Sequence, residues 1–333
     1  MPRCDEPVAL STYLRARGWL AADDEVVRVA PAGDGNMNRT LRVVTRRRRL
    51  IVKHGPAWVE KYPDIPAPAD RTLVEAAFYQ TVPPAVTARM PVLHGVDRVA
   101  RVLVLEDIEA ASDLTGLYEG VTPDPDLLRQ LLDYLAILHR TPLTEADRHL
   151  LANGAMRALN HEYIYRLPVA ADASLLQRLE HITPGLAAIA GAVAQDAVFV
   201  ARVTALGAEY LHGAPQALLH GDYFPGSWLT DGRLVRVIDP EFCFLGAPAF
   251  DYGVMAAHLV LAGALPAVRT VADAAADAGC DRVLTAGVAG VEIMRRLLGV
   301  AQLPRLTRTL AEKRALLQVS RALVVGGVSL GTI

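Results

Sequence analysis

The sequence predicts an α+β fold of two lobes, with a small antiparallel sheet in the N-terminal lobe and a larger, mainly helical C-terminal lobe. Two patterns predict this architecture. Runs of β-branched and alternating apolar residues, separated by turn residues, occupy the chain from about 25 to 105. Beyond residue 110, apolar residues recur at helical spacing instead. The 333 residues suffice for two lobes with buried cores.

The strand-rich part of the chain follows a short amphipathic helix. Gly33-Asp34-Gly35-Asn36 predicts a tight turn between strands, because glycine and asparagine tolerate a positive φ. The basic run from Arg46 to Arg49 predicts a solvated hairpin turn. The expected elements are a helix over 8–22, strands over 25–30, 40–45 and 50–53, a proline-punctuated loop over 56–68, a helix over about 70–80, and strands over 91–96 and 101–105.

The helical part begins with a pronounced periodic pattern. Helical patterns continue over 174–213, a short β-like island follows at 217–220 and 235–238, and helices resume at about 250. We therefore expect one lobe over residues 1–107 and a second over 108–333, joined by a linker at 106–109. A helix over 123–139 would bury the apolar stripe of Leu127, Leu128, Leu131, Leu132, Leu135 and Leu138.

Composition narrows the class of protein. The formal charge is −2, so nothing favours a nucleic-acid or acidic-membrane partner. Three cysteines without metal-ligand or disulfide spacing are typical of a reducing cytoplasm. The longest apolar stretch, 254–267, is shorter than the roughly 20 residues that a membrane-spanning helix needs, and the N-terminus has no signal pattern. We expect a soluble, cytoplasmic protein.

Carboxylates after two short strands are the main candidates for chemistry. A strand ending in His220-Gly221-Asp222 would place the Asp222 carboxylate in a loop. Ser227 follows Asp222 by five residues, where the catalytic loop of phosphotransferases has a side-chain oxygen that helps to hold metal. Asp239, seventeen residues after Asp222, and Glu241 follow the next strand. This spacing favours phosphoryl transfer.

The chemistry of phosphoryl transfer explains these residue types. The protein must mainly position the acceptor and neutralise charge on the phosphates. Asp222 would accept the proton of an acceptor hydroxyl or orient that hydroxyl. A magnesium ion that bridges the phosphates needs hard oxygen ligands, which Ser227, Asp239 and Glu241 would supply.

The N-terminal half of the chain supplies a matching set of candidates for binding ATP. Lys53 ends a strand and would reach the α- and β-phosphates, and Glu75, on the next helix, would pair with it. The turn of Gly33, Asp34, Gly35 and Asn36 would cover the phosphates. Main-chain groups around Glu106 and Ile108, at the linker, would bind adenine.

The order of these residues carries a resemblance to a known family. The chain resembles the protein-kinase-like small-molecule phosphotransferases, which include the aminoglycoside and choline kinases, and among them most the 5-methylthioribose kinases. Ser227 and Asp239-Pro240-Glu241 favour that subgroup, since most relatives have Asn and a second Asp there. The matching segments are 33–38, 220–227, 238–242 with 250–251, and 289–299.

The resemblance implies a two-lobed protein-kinase-like fold, with a nucleotide-binding N-terminal lobe and a catalytic, substrate-binding C-terminal lobe. It implies transfer of the γ-phosphate of ATP to the anomeric hydroxyl of a 5-substituted ribose, Mg²⁺ as cofactor, and a homodimer. The family's paired arginines, which contact the sugar or its developing phosphate, map onto Arg295 and Arg296. Adjacent helical positions point about 100° apart, so we expect at most one of the two to face the site.

Other side chains near the motifs have less specific interpretations. Tyr223 either lines the substrate pocket or packs inside the lobe. Asp251 is expected to anchor the metal-binding loop through hydrogen bonds. His139 is expected to be structural, on a helix that packs under the catalytic loop, and His258 to be a hydrogen-bonded core histidine.

Three departures from the methylthioribose kinases concern the acceptor pocket. The family's tryptophan-bearing loop is replaced by Tyr62-Pro63-Asp64-Ile65, its histidine after the arginines is Gln302, and the segment from Phe250 to Arg295 is shorter. Two alternatives therefore stay open beside the sugar kinase. One is an aminoglycoside- or amino-alcohol-type phosphotransferase, and the other is a catalytically silent nucleotide-binding regulator.

Overall fold

The N-terminal part of the protein is built on a five-stranded antiparallel sheet. A computed structural model describes residues 6–33, 35–300 and 302–333. The elements are α1 (Pro7–Ala16), β1 (Val26–Pro31), β2 (Arg39–Thr45), β3 (Arg49–His54), β4 (Trp58–Val59), β5 (Tyr62–Pro66), α2 (Arg71–Thr81), α3 (Pro84–Thr87), β6 (Leu93–Asp97) and β7 (Val102–Glu106). The sheet order is β1-β2-β3-β7-β6, and β4 and β5 form a separate hairpin.

The two faces of the sheet pack against different helices. On one face, Leu50 and Val52 of β3 pack with Leu10 and Leu14 of α1 in a buried apolar cluster. Side chains alternate across a strand, so Lys53 points to the other face, toward α2. The helix α1 ends at Ala16 rather than at residue 22, because the chain turns at Gly18, whose φ is +72°.

The hairpin of β4 and β5 occupies a segment predicted to be a loop. Prolines favoured the loop interpretation. A two-stranded hairpin can nevertheless include Pro63 and Pro66, because the N–H that proline lacks is not needed to pair with a further strand. The amides of Glu60 and Lys61 donate to the carbonyls of Met37 and Asn36. The hairpin is therefore joined to the glycine-containing turn.

The C-terminal part is mainly helical, as the sequence predicted. A π-helical turn, His161–Arg166, lies between two of the helices. The elements are β8 (Ser112–Asp113), α4 (Pro125–Leu138), α5 (Glu145–Leu151), α6 (Gly154–Asn160), α7 (Leu167–Ala170), α8 (Ala173–Ile182), α9 (Leu186–Gln195), α10 (Ala197–His212), β9 (Ala217–Leu219), β10 (Trp228–Thr230), β11 (Val235–Val237), β12 (Phe244–Gly246), α11 (Ala249–Leu261), α12 (Leu265–Asp277), α13 (Arg282–Leu298) and α14 (Leu310–Val325).

Close helix packing forms the C-terminal core. A Cβ on Gly253 of α11 would lie 2.8 Å from the carbonyl oxygen of Thr285 on α13, so only glycine permits this approach. The predicted leucine stripe of α4 is buried except for Leu132, which is half-buried, and Leu135 and Leu138 are fully inaccessible. In the described residues no single helix is long and apolar enough to span a membrane; α9 and α10 meet that length and composition only together, with an 81° bend between them.

Short strands between the helices place the candidate loops. β9 pairs with β12, and β10 pairs with β11 and β8, all antiparallel. The loop after β9 carries Asp222, and the loop after β11 carries Asp239. The predicted lobe boundary between residues 107 and 108 falls just after β7, and it stays a prediction.

Candidate active site

Asp222 lies on a loop whose backbone geometry requires a glycine. Gly221 has a φ of +86°, and a Cβ at this position would lie only 2.1 Å from the carbonyl oxygen of Phe242. Both the left-handed conformation and the close approach exclude a larger residue. The chain therefore reverses direction between β9 and Asp222. At this point it packs against the loop after β11, which contains Phe242.

Asp251 fixes the Asp222 loop through hydrogen bonds to its backbone. Its carboxylate accepts hydrogen bonds from the amides of His220, at 2.8 Å, and Gly221, at 3.0 Å, and contacts Nε2 of His139 at 2.9 Å. Burial alone would raise the pKa of Asp251, but the contacts with His139 and the Gly221 amide hold it below its usual range. The prediction that Asp251 anchors the metal-binding loop is thus corrected, because its hydrogen bonds go to the Asp222 loop.

The carboxylate of Asp222 contacts two adjacent arginines. Its Oδ1 accepts hydrogen bonds from Nη2 of Arg295 at 2.8 Å and from Nη2 of Arg296 at 2.9 Å. The expectation that at most one of these arginines faces the site is wrong. Both lie in the last turn of α13, and their side chains are long enough to converge on one oxygen despite the angle between their Cα–Cβ bonds.

Glu292 holds both arginines from one helical turn earlier. The Nε atoms of Arg295 and Arg296 donate to its two carboxylate oxygens, as expected for positions three and four residues apart. His258 Nε2 lies 2.9 Å from the same carboxylate, and His258 Nδ1 lies 2.6 Å from the Tyr118 hydroxyl. A buried network therefore extends from Tyr118 to Asp222.

The charges in this network follow from burial and pairing. Burial alone would raise the pKa of Glu292, but Arg295 and Arg296 hold it well below its usual range. Burial lowers the pKa of His258 to about 4 against the opposing pull of Glu292. His258 is therefore neutral at pH 7. Because Glu292 is ionised and can only accept, His258 donates through Nε2 and accepts the Tyr118 hydroxyl at Nδ1.

Lys53 forms a second charged cluster, on the sheet side of the site. Its Nζ donates to Glu75 Oε2 at 2.6 Å and to Asp239. Burial alone would lower the pKa of Lys53, but the carboxylates of Asp239 and Glu75 outweigh it and raise that pKa. Burial raises the pKa of Glu75, which Lys53 opposes. The cluster joins β3, α2 and the loop after β11.

The metal-ligand candidates lie along the loop after β11 and the end of the Asp222 loop. Asp239 adopts a left-handed conformation, with φ +69°, and its side chain is 39% exposed. Glu241 is buried, and its Oε2 accepts a hydrogen bond from Asn38 Nδ2 at 2.8 Å. Ser227 Oγ donates to the carbonyl of Asp222 at 3.2 Å. The donors are thus hard oxygens on two adjoining loops.

These donors fit a magnesium ion better than an all-protein metal site. In the part of the chain that the structure describes, no group of three His, Cys, Asp or Glu side chains is placed to hold a metal alone. Magnesium is ordinarily bound by one or two carboxylates together with substrate phosphates and water. Asp239 and Glu241 provide that number of carboxylates.

One cavity of about 1060 Å³ brings most of the predicted site residues together. Asp34 lies outside the described residues. The cavity also contains apolar wall residues on the sheet side, including Ile51 and Leu105. The predicted residues that line it are Gly33, Gly35, Asn36, Lys53, Glu75, Glu106, Ile108, Asp222, Ser227, Asp239, Glu241, Arg295 and Arg296.

Tyr223 does not contact this cavity, which corrects its prediction as a substrate residue. Its side chain is fully buried, its hydroxyl donates to the carbonyl of Leu131, and its ring stacks on Tyr134 at 5.9 Å. Its neighbour Phe224 lines the cavity instead, with the Arg296 guanidinium 4.8 Å from its ring centre. Successive side chains of the loop point in different directions, so Tyr223 lies in the core and Phe224 lies at the cavity.

The linker residues are also fixed by specific contacts. The carboxylate of Glu106 accepts the amide of Val92, so its side chain is engaged within the protein. Asp107 accepts hydrogen bonds from Arg42 and Arg49, each at 2.9 Å. Arg49, predicted to lie in a solvated turn, therefore belongs to β3 and holds the linker.

A model of the phosphotransferase enzyme family matches residues 28–283. The chain belongs to this family. Among curated relatives, methylthioribose kinase 1 of Oryza sativa subsp. japonica is 28% identical over 269 residues, 77% of this chain and 62% of the relative. The methylthioribose kinase of Cronobacter sakazakii is 29% identical over 266 residues, 75% of this chain and 64% of the relative. The chain thus matches somewhat less than two thirds of these relatives' own length.

Solved structures support the predicted fold of this chain. A spectinomycin phosphotransferase in complex with ADP and spectinomycin superposes with a TM-score of 0.57 at 11% identity, covering 98% of this chain and all of the other. An aminoglycoside phosphotransferase in complex with AMP-PNP and hygromycin B gives a TM-score of 0.55 at 12% identity, covering 96% and 98%. The predicted protein-kinase-like α+β fold is confirmed.

The burial of neutral His258 makes the stability of this protein depend on pH. Between the usual pKa of 6.5 and the folded-state pKa of about 4, the unfolded chain binds a proton that the folded chain excludes. The free energy of unfolding therefore falls as pH drops through this window, by up to about 3 kcal/mol from this group. Urea unfolding between pH 7 and 4 should show a steeper decline for the wild type than for His258→Gln, whose amide can still donate to Glu292.

The matched control is His149→Gln. His149 is exposed on α5, so its replacement should leave the pH dependence of the wild type unchanged. If wild-type and His258→Gln stabilities decline in parallel, His258 is not the source of the pH dependence.

Proposed function

We propose that this chain is an ATP- and Mg²⁺-dependent kinase that phosphorylates a sugar-like metabolite, at the anomeric hydroxyl of a 5-substituted ribose such as 5-methylthioribose. The observation that carries the proposal is the position of Asp222. Its carboxylate lies in the same cavity as Lys53 and Asp239 and is held by Arg295 and Arg296. The curated relatives named above are methylthioribose kinases.

The sheet side of the cavity suits the nucleotide. Ile51 and Leu105 provide apolar walls for a base, and main-chain groups at Glu106 and Ile108 border the same region. Lys53 places a buried cation where the phosphates would lie, beside the turn of Gly33 and following residues. A cation in a site of low polarity stabilises phosphate charge far more strongly than it would in water.

Asp239 and Glu241, with Ser227, would hold the magnesium ion. When bound, that ion would neutralise negative charge on the β- and γ-phosphates during transfer. Lys53 contacts Asp239 in the structure, so the lysine and the metal-ligand candidate are already side by side. The residues of this chain thereby align the phosphates for in-line transfer.

Asp222 would act as the base for the acceptor hydroxyl. In the described residues both arginine hydrogen bonds go to Oδ1, which leaves Oδ2 for the acceptor. The hydroxyl proton passes to Asp222, the hydroxyl oxygen forms a bond to the γ-phosphorus, and the bond from that phosphorus to ADP breaks. Arg295 and Arg296 would orient the sugar and balance charge on the new phosphate.

The charges around Asp222 favour a neutral sugar over a cationic acceptor. Two guanidinium groups lie against the base, and Tyr163 and Ile164 of the π-helical turn add an uncharged wall. Because Arg295 and Arg296 already neutralise the Asp222 carboxylate, it offers little unpaired negative charge to a cationic aminoglycoside or to choline. The position of the family's histidine holds Gln302, whose amide donates to the carbonyl of Leu297 and so ends α13.

We infer that the lobe up to residue 107 binds the nucleotide and that the lobe from 108 carries catalysis and the acceptor. The cytoplasmic location and the homodimer expected from the family resemblance stay predictions.

The acceptor can be tested by measuring ADP release with a panel of 5-substituted riboses, other pentoses, aminoglycosides and choline. We expect turnover with 5-methylthioribose or a close analogue and none with the cationic acceptors. Turnover only with cationic acceptors would contradict the sugar-kinase proposal. The silent-regulator alternative gains support if no acceptor is used and ATP gives no Mg²⁺-dependent thermal shift.

The role of Asp222 can be tested with Asp222→Asn. We expect kcat to fall about 100- to 10,000-fold, the usual contribution of a positioned base, while the Kd for ATP with Mg²⁺ changes little. Stopped-flow turnover and calorimetric binding measure the two quantities.

Asp231→Asn is the matched control for this variant. Asp231 lies in the exposed turn between β10 and β11, and its replacement should leave both quantities unchanged. Retention of wild-type turnover by Asp222→Asn would refute the base assignment.

A further inference from the structure

Arg71 is a buried cation outside the predicted set of site residues. It begins α2 and is only 1% exposed. Arg71 and Glu75 are four residues apart, so both side chains project from the same face of the helix. Glu75 contacts Lys53, whereas Arg71 points toward Asn38 and Glu241. One face of α2 is therefore connected to two carboxylates of the metal loop, which is the loop after β11 that carries Asp239 and Glu241.

The guanidinium of Arg71 has as many hydrogen bonds as it has N–H groups. Three of its acceptors belong to the chain around the hairpin β4–β5, and two belong to the end of the glycine-containing turn. This complete pairing offsets the cost of burying the charge and fixes the side chain in one position. The acceptors are Asn38 Oδ1 at 2.8 Å and the carbonyls of Met37 at 2.6 Å, Pro56 at 2.6 Å, Pro68 at 2.8 Å and Trp58 at 3.2 Å.

Asn38 transmits this fixed position to Glu241. Because its Oδ1 accepts from Arg71, its amide nitrogen must face the opposite way, and Nδ2 donates to Glu241 Oε2 at 2.8 Å. Arg71 Nε also lies 3.4 Å from that same oxygen. Within the described residues, the hydrogen bond and the ion pair of Glu241 both involve Oε2, which leaves Oε1 for a ligand.

We propose that Arg71 and Asn38 are positioning residues that orient Glu241 toward the magnesium ion of the bound nucleotide. The inference rests on the proposed function, since it takes Glu241 as a metal ligand. It assigns α2 two separate connections to the metal loop. Lys53 and Glu75 hold Asp239, and Arg71 with Asn38 holds Glu241.

This arrangement also ties the metal loop to the glycine-containing turn. Arg71 holds the carbonyl of Met37, and Asn38 directly follows Met37 in the chain. Arg71 therefore holds the turn that would cover the phosphates. Through Asn38 it also holds the carboxylate that would bind their metal ion. Loss of that support should weaken metal binding in the presence of nucleotide more than nucleotide binding without metal.

The experiment measures Mn²⁺ binding in the presence of AMP-PNP, by electron paramagnetic resonance of the free ion, in the full chain. Asn38→Ala and Arg71→Lys should each weaken Mn²⁺ binding about 10- to 100-fold, the usual effect of removing a group that supports a metal ligand. AMP-PNP binding measured in EDTA should stay within about twofold of the wild type, because Lys53 and the apolar walls of Ile51 and Leu105 are unchanged.

Arg101→Lys is the matched control. Arg101 also donates to a carboxylate at 2.8 Å in this lobe, that of Asp70, but the pair is exposed and should not affect the metal. Melting temperatures report folding, and Asn38→Ala keeps the test valid if Arg71→Lys does not fold. Adding Glu241→Gln to Asn38→Ala should cause little further loss of Mn²⁺ affinity, because both changes disable one ligand.

The outcomes separate the inference from the proposed function. Wild-type Mn²⁺ affinity in Asn38→Ala contradicts the positioning role alone. Failure of the wild type to bind Mn²⁺ with AMP-PNP contradicts the proposed function and, with it, this inference. A purely structural role is indicated if metal-free AMP-PNP binding weakens as much as Mn²⁺ binding.

Discussion

The contact of Asp222 with Arg295 and Arg296 is the interaction on which the rest of the site depends. Two adjacent cations on one helix can converge on one carboxylate only if another negative charge balances them, and buried Glu292 supplies that charge. Glu292 in turn is held by neutral His258, which links α13 to α11 and to Tyr118. The position of the proposed base is therefore set by the C-terminal helical core rather than by its own loop alone.

The sheet side contributes a complementary arrangement of buried charge. Lys53 is surrounded by Glu75 and Asp239, so its charge is balanced within the protein before any phosphate enters. The metal-ligand candidates are reached from α2 by two routes, through Lys53 and through Arg71 with Asn38. In the described residues, the proposed base, the two metal-binding carboxylates and the proposed phosphate-binding lysine each contact a buried partner from a different element, which is how a site is pre-organised.

The sequence predicted the features that depend on the order of residues along the chain. It did not predict those that depend on contacts between residues far apart in the chain. The spacing of Asp222, Ser227 and Asp239 located the loops, and the leucine stripe located α4. Glu292 was missed although its spacing from the arginines gave a local signal. Arg71 was missed because its hydrogen-bond acceptors lie up to 34 residues away in the chain and its ion-pair partner Glu241 lies farther still. Tyr223 was misassigned because neighbouring aromatic residues in a loop give no periodicity from which to infer which side chain faces the cavity.

The most direct test of the proposed chemistry at Asp222 is phosphorus-31 NMR of the product formed from ATP, Mg²⁺ and 5-methylthioribose. If Asp222 activates the anomeric hydroxyl, we expect one new phosphorus signal coupled to the anomeric proton, appearing together with ADP. A signal coupled to any other ring proton would show that a different hydroxyl meets the base. The absence of a sugar phosphate would contradict the assignment of 5-substituted ribose as the acceptor.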